Sequence, residues 1–188
     1  MADARQQLFA FTTKYNGHRN VLENKIYLAE AFDPADKSII PQWHEFNCIW
    51  DTGASNTVIT SKVANGLGLI PTGKAVCHTA GGKAIVNTYL VNIKLPNKVA
   101  FAAVRVTEGD IFEPHDALIG MDIISKGDLA ITNKDGITWM SYQYPSIERI
   151  DFVAAINRRK GITEKRILTF DEKRKARNKR KAEAKKRK

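Results

Sequence analysis

The chain has little of what marks several common classes of protein. Its two cysteines, Cys48 and Cys77, stand far apart with no Cys-x-x-Cys pair. That excludes a disulfide-stapled scaffold and a cysteine-rich zinc module. The expectation is two buried free thiols in a reducing compartment. The four histidines, His18, His44, His78 and His115, keep no ligand spacing with one another or with cysteine, so no metal site is expected. Thr79-Ala80-Gly81-Gly82-Lys83 lacks the spacing of a phosphate-cradling loop, and no cofactor is expected. No apolar run approaches the ~18 residues of a membrane span, so no membrane partner is expected. Met1 to Gln7 is polar, with no apolar signal-peptide centre after it. These features together set the expectation of a cytoplasmic protein.

What is present is unevenly distributed. The 188 residues suffice for one domain with a sizeable core plus extensions. The net charge of +10 belongs to one end. Arg158–Lys188 holds 16 Lys and Arg against 4 Asp and Glu, a net of +12. The other 157 residues hold 14 basic and 16 acidic side chains, a net of −2. A body near neutrality carries a cationic tail.

One short segment carries chemistry. Phe46-Asn47-Cys48-Ile49-Trp50 leads into Asp51-Thr52-Gly53-Ala54-Ser55, and Asn56-Thr57-Val58-Ile59-Thr60 leads out. This reads as strand, tight turn with an acid at its tip, strand. Alone, Asp-Thr-Gly is also an ordinary turn. About sixty residues later comes Ala117-Leu118-Ile119-Gly120-Met121-Asp122. Between them Gly81-Gly82 and the run Ala84 to Leu95 suit a glycine-tipped hairpin. No second Asp-Thr/Ser-Gly occurs.

Together these segments resemble the retropepsin-like aspartic proteases, over about Asn24 to Tyr144. The resemblance implies an all-β chain: a closed β-barrel, the half-barrel of an acid protease, with a flap hairpin and one or two short helices, forming a C2 homodimer. It implies an aspartic endopeptidase acting on a peptide or protein substrate. Asp51, Thr52 and Gly53 would be its catalytic segment. Ala54, Ser55, Gly81, Gly82 and Ile119 would meet the substrate. The chemistry needs two carboxylates ~3 Å apart that share a proton and activate a water. Asp122, Asp128 and Asp135 are poor candidates for the second; Asp122 fits a structural hydrogen-bonding or helix-capping role. The second acid is therefore expected from another copy of Asp51 across a two-fold axis. Retroviral enzymes often carry two acids after the Ala and an Arg after the downstream Gly. Ser55, Asn56 and Met121 hold those places here, so the pattern is closer to cellular and bacterial members. The alternative is a catalytically silent peptide-binding or scaffold module of the same fold, tethered to nucleic acid by its tail.

The expected layout is an N-terminal extension over residues 1–23, a protease-like domain over 24–157 and a basic tail over 158–188. Leu8 to Phe11 suits a short strand, and Asn24 to Phe32 another. Thr60 or Ser61 would cap a short helix that Gly68 ends. Asp122 to Lys126 suits a second helix, and Asp135-Gly136 the turn of a hairpin. Ile150 to Ile156 is ambiguous, with an extended segment preferred. Beyond Phe170 the tail has no aromatic residue, so base stacking is not expected of it. It is expected to reach nucleic acid or another polyanion, or else to serve as a solubilising tail or localisation signal. If it binds polyanions, deleting Arg158–Lys188 should abolish RNA and DNA binding and leave folding intact. Full-length binding, measured by anisotropy, should weaken with salt at a slope of roughly −0.7 to −0.9 per phosphate neutralised. Equal affinity and slope in the truncated protein would refute this.

Overall fold

The computed structural model describes residues 7–79 and 82–160. The chain divides into two compact units, Met1–Glu148 and Arg149–Lys188. In chain order the first unit holds β1 (Phe9–Lys14), β2 (Glu23–Glu30), β3 (His44–Trp50), β4 (Val58–Ile59), α1 (Ser61–Gly66), β5 (Gly73–Thr79), β6 (Gly82–Lys94) and β7 (Ala100–Glu108). It continues with β8 (Ala117–Ile119), α2 (Met121–Ile124), β9 (Asp128–Thr132) and β10 (Trp139–Tyr144).

Seven strands form one sheet in the order β2-β3-β8-β4-β7-β6-β5. A further antiparallel pairing of β2 with β6, Tyr27↔Lys94 to Glu30↔Val91, closes that sheet on itself. Closure leaves β2 paired on both sides and encloses a core, with β5 alone keeping a free edge in this sheet. Period-two alternation puts Ile26 and Leu28 of β2 fully inside. Val91 and Ile93 of β6, Val106 of β7 and Ile119 of β8 join them. The β6–β7 ladder shifts register between Val91 and Ile93. There the buried Asn92 side chain accepts from the Ala103 N–H (2.7 Å) and donates to the Phe32 carbonyl (2.9 Å). A polar side chain thus repairs the ladder that the bulge interrupts.

β1 pairs with β10, which pairs with β9, in a separate three-stranded antiparallel sheet. β1 comes from the stretch expected to be an extension. This sheet packs on the barrel through aromatic rings. Trp50 lies with its ring centre 5.0 Å from Tyr142 and 5.8 Å from Phe11. That cover explains why Cys48, Ile49 and Trp50 are all buried instead of alternating. The Trp50 indole N–H reaches Asn24 Oδ1 at 3.1 Å, so Trp50 is a core anchor with its polar atom satisfied. Cys48 is fully buried, which pushes its thiol pKa well up and leaves it unreactive. Cys77 departs from expectation: it is only half-buried, because the hairpin carrying it projects from the barrel.

The short helices follow local chemistry. Thr60 caps α1, its hydroxyl accepting from the Val63 N–H, and Gly68 (φ +64°) ends it. α2 ends at Ile124 with Ser125 as its C-cap, short of the Lys126 expected, and at Gly127 beyond it a Cβ would lie 2.1 Å from the Gln143 carbonyl oxygen of β10. The β9–β10 turn places Asp135 and Gly136 at positive φ. The second unit contains α3 (Phe152–Arg159), where an extended segment was expected. Asp151 caps it by accepting from the Ala154 N–H (2.9 Å), and Arg158 and Arg159 suit its C-terminal dipole. α3 spans the expected boundary between residues 157 and 158. Residues 161–188 of the expected tail lie outside the described residues. No described helix is long and apolar enough to cross a membrane.

Asp128 fastens the end of β10 to β9. Its carboxylate accepts from the Ser146 hydroxyl, the Ile147 and Glu148 N–H groups and the Gln143 amide. These donors favour the charged form and hold its pKa below the ordinary 3.8. Its folded pKa is depressed, so its contribution to stability is complete above about pH 4 and is lost as pH falls through the folded value. Asp128→Asn should therefore lower the unfolding temperature near neutrality, and the gap to wild type should close in acid. A gap unchanged between about pH 6 and pH 2 would rule out this role.

Candidate active site

β3 enters the Asp51 loop and β4 leaves it. β8 lies between those two strands, parallel to β3 (Cys48↔Ala117 to Trp50↔Ile119) and antiparallel to β4 (Val58↔Leu118). One side of the crossing is tied by the Asp51 N–H to the Ile119 carbonyl (3.0 Å). The other side is tied by the Met121 N–H to the Ala54 carbonyl (2.8 Å) and the Asp122 N–H to the Ser55 carbonyl (3.2 Å). The chain after Gly120 thus runs directly beneath the loop. A Cβ on Gly120 would sit 2.5 Å from the carbonyl carbon and oxygen of Asn56. No other residue type permits that approach without moving main chain.

A buried hydroxyl braces the crossing. Thr57, wholly inaccessible, donates to Asp122 Oδ1 (2.8 Å), and its oxygen accepts from the Gly120 N–H (3.3 Å). Asp122 Oδ1 also accepts from the Ile123 N–H (3.1 Å). Asp122 therefore acts as a structural hydrogen-bonding residue at the start of α2. Behind β8, His115 ties the preceding loop to β2, with Nε2 2.7 Å from Glu23 Oε2.

Asp51 itself is partly exposed at the tip. Its Oδ1 accepts from the Gly53 N–H at 2.7 Å, and the Ala54 N–H reaches its carbonyl at 3.3 Å. Among the described residues no other group donates to its carboxylate. Thr52, Gly53 and Ser55 are exposed and Ala54 is half-buried. Ile119 reaches this loop only through its carbonyl; its side chain is fully buried in the core. Leu118, its half-exposed neighbour on β8, was not singled out from the sequence. Strand alternation was the signal, since Ala117 and Ile119 both face the core. Thr57 was missed as well, because a β-branched residue after a turn reads as ordinary strand.

The β5–β6 hairpin runs in register from Gly73↔Thr88 to Thr79↔Gly82. Its outer half is exposed, with Val76 at 59% and Ile85 at 73%, whereas Thr88 and Tyr89 are buried. Gly82 (φ +117°) begins the return strand. Gly81, expected at the tip, lies outside the described residues. No cluster of three or more potential metal-binding side chains occurs among the described residues.

Residues 42–123 match a family model described as aspartyl protease. The described fold is mostly β, a sheet closed on itself with few short helices. Three solved structures are similar to this chain: a retropepsin-like aspartic protease from Rickettsia conorii, the EIAV protease with the inhibitor HBY-793, and the retroviral protease-like domain of Ddi1 from Leishmania major. Identity to the Rickettsia protein is 12%, covering 76% of this chain and 98% of that one, with a TM-score of 0.46. For the EIAV protease the figures are 20%, 56% and 86%, with 0.40. For the Leishmania domain they are 14%, 59% and 82%, with 0.36. A search of curated proteins gave no match. The segment matched by the aspartyl protease model takes in β3, the Asp51 loop, the hairpin and β8.

Thr57→Val keeps the shape of the side chain but leaves the Asp122 carboxylate and the Gly120 N–H short of a partner. It should cost about 1–3 kcal/mol. Thr57→Ser, which retains the hydroxyl, should stay close to wild type. Urea midpoints measure both. Equal midpoints for the two variants would mean that the hydroxyl does not brace the crossing.

Proposed function

We propose that the chain is an aspartic endopeptidase whose active unit is a homodimer, with Asp51 of each copy forming the carboxylate pair. The observation carrying this reading is a fully braced acid loop that supplies one carboxylate where the chemistry needs two. A C2 axis through that loop would bring the second acid from the same surface of another copy. Thr52 and Gly53, exposed beside Asp51, would face their own symmetry mates. One carboxylate would take the proton of a water while the other, protonated, polarises the scissile carbonyl. The substrate would lie extended between the loop and the hairpin, pairing its main chain as an added strand does. Ala54, Ser55, Gly81 and Gly82 would border it.

The working unit is read as residues 24–157, flanked by the N-terminal stretch and the basic tail over Arg158–Lys188. The unpaired thiols suit a reducing compartment, and we place the enzyme in the cytoplasm. The tail would add attachment to nucleic acid or another polyanion by charge alone.

Asp51→Asn removes the proton acceptor and changes little in shape. Cleavage of a mixed peptide library should fall by about 10²–10⁴-fold, while circular dichroism and sedimentation stay those of the wild type. Specific activity of the wild type should decline on dilution below the dimer dissociation constant. Undiminished cleavage by Asp51→Asn protein, or full specific activity from a sedimenting monomer, would end this assignment.

A further inference from the structure

The three-stranded sheet ends in a row of directly paired residues, Lys14↔Trp139↔Thr132. Paired residues project to the same side of a sheet. Met140 and Tyr142 of β10 are fully buried, so Trp139 and Ser141 take the opposite side, away from the core. The β9–β10 turn adds Lys134, Asp135 and Ile137, and with the row these residues line an open cavity of about 390 Å³. That lies within the range of small-ligand sites, roughly 300–1,000 Å³. The next row inward, Thr12↔Ser141↔Ala130, is small, so no bulky side chain of that row crowds the indole.

The polar groups here are mostly donors. Trp139 is 42% exposed, and its indole N–H has no partner among the described residues. Lys14 and Lys134 belong to no ion pair among the described residues. Asp135 is the one acid of the lining, against these two ammonium groups. A flat aromatic face beside an excess of cationic and neutral donors matches a ligand with a flat ring at one end and an acceptor-rich anion at the other. A nucleotide has that form. Lys14 Nζ lies 5.2 Å from the centre of the Trp139 ring. A stacked base is worth more than a cation over an exposed ring, so a base would displace this ammonium and leave it free to meet a phosphate.

We propose that this cavity binds a nucleotide, its base stacked on Trp139 and its phosphate held by Lys14 and Lys134. A single strand of nucleic acid and a free mononucleotide both carry that chemistry; a duplex does not, because its base faces are already stacked. The inference is independent of the peptidase reading of Asp51. It also differs from attraction to the tail, which acts by charge alone: Phe170 is the one aromatic residue of Arg158–Lys188.

The test titrates the full chain, by fluorescence anisotropy, with a short single-stranded RNA of mixed sequence and with heparin, a polyanion without bases. Trp139→Ala should weaken RNA binding about tenfold and leave heparin binding unchanged. The salt slope for RNA should stay that of the wild type, since stacking neutralises no phosphate. Trp139→Tyr, which keeps an aromatic face, should recover most of the affinity. Lys14→Gln combined with Lys134→Gln should instead flatten the slope, by roughly one to two phosphates. Adenosine monophosphate distinguishes the sources. Displacement of the RNA by it would show that the site takes a free nucleotide. Failure to displace, with RNA binding still dependent on Trp139, would show that it takes the polymer. Equal RNA affinity in wild type and Trp139→Ala overturns the inference and leaves the tail as the contact. An equal loss for RNA and heparin overturns it too, because the indole would then not be acting on bases. So does a wild-type chain that binds no RNA.

Discussion

The main chain of Gly120 lies against that of Asn56 with no room for a Cβ, and the geometry of the acid loop depends on that contact. It lets β8 slide between β3 and β4 and bond to both. Once it does, the loop over Asp51 is tied at Ile119 on one side and at Met121 and Asp122 on the other. A tight turn at a surface would ordinarily be among the more mobile parts of a fold. Here its two limbs are neighbours of one central strand, and the buried Thr57 hydroxyl closes the remaining gap. The precision that positioned chemistry requires is thus supplied by main chain and one hydroxyl.

Three aspartates of identical chemistry are separated by their partners. Asp128 has four donors and is held ionised as a fastening. Asp122 is engaged by Thr57 and the Ile123 N–H. Asp51 has a single donor, the Gly53 N–H of its own turn. A carboxylate saturated with donors is poorly suited to exchange protons, because each bond favours the charged form. The acid with the fewest donors of the three is also the one standing at an exposed tip.

Legibility in the sequence followed the range of the physics involved. The Asp51 turn, the hairpin, the Thr60 cap, the stop at Gly68 and the Asp135-Gly136 turn are set by neighbours a few residues apart, and each reads directly. The closing pairing of β2 with β6 and the docking of β1 on β10 join residues far apart in the chain, and no local period announces them. Burial of the Ile119 side chain depends on which face of β8 meets the core, which the short run Ala117-Leu118-Ile119 leaves undecided. The helix at Phe152–Arg159 was misread because its apolar residues fit both periods; the cap at Asp151 carried the deciding signal. Trp139 reads as an ordinary core aromatic until the fold sets Lys14 and Thr132 beside it on an open face.

The central claim is that one site uses two copies of Asp51, and mixing tests it most directly. Wild-type and Asp51→Asn chains, equilibrated in equal amounts at concentrations where dimers dominate, form mixed dimers with one carboxylate. If both acids are required, only wild-type homodimers cleave, and activity falls to about a quarter of that from the same total of wild-type chains. Activity at half, linear in the wild-type fraction, would show that each chain works with its own acid and would contradict the account.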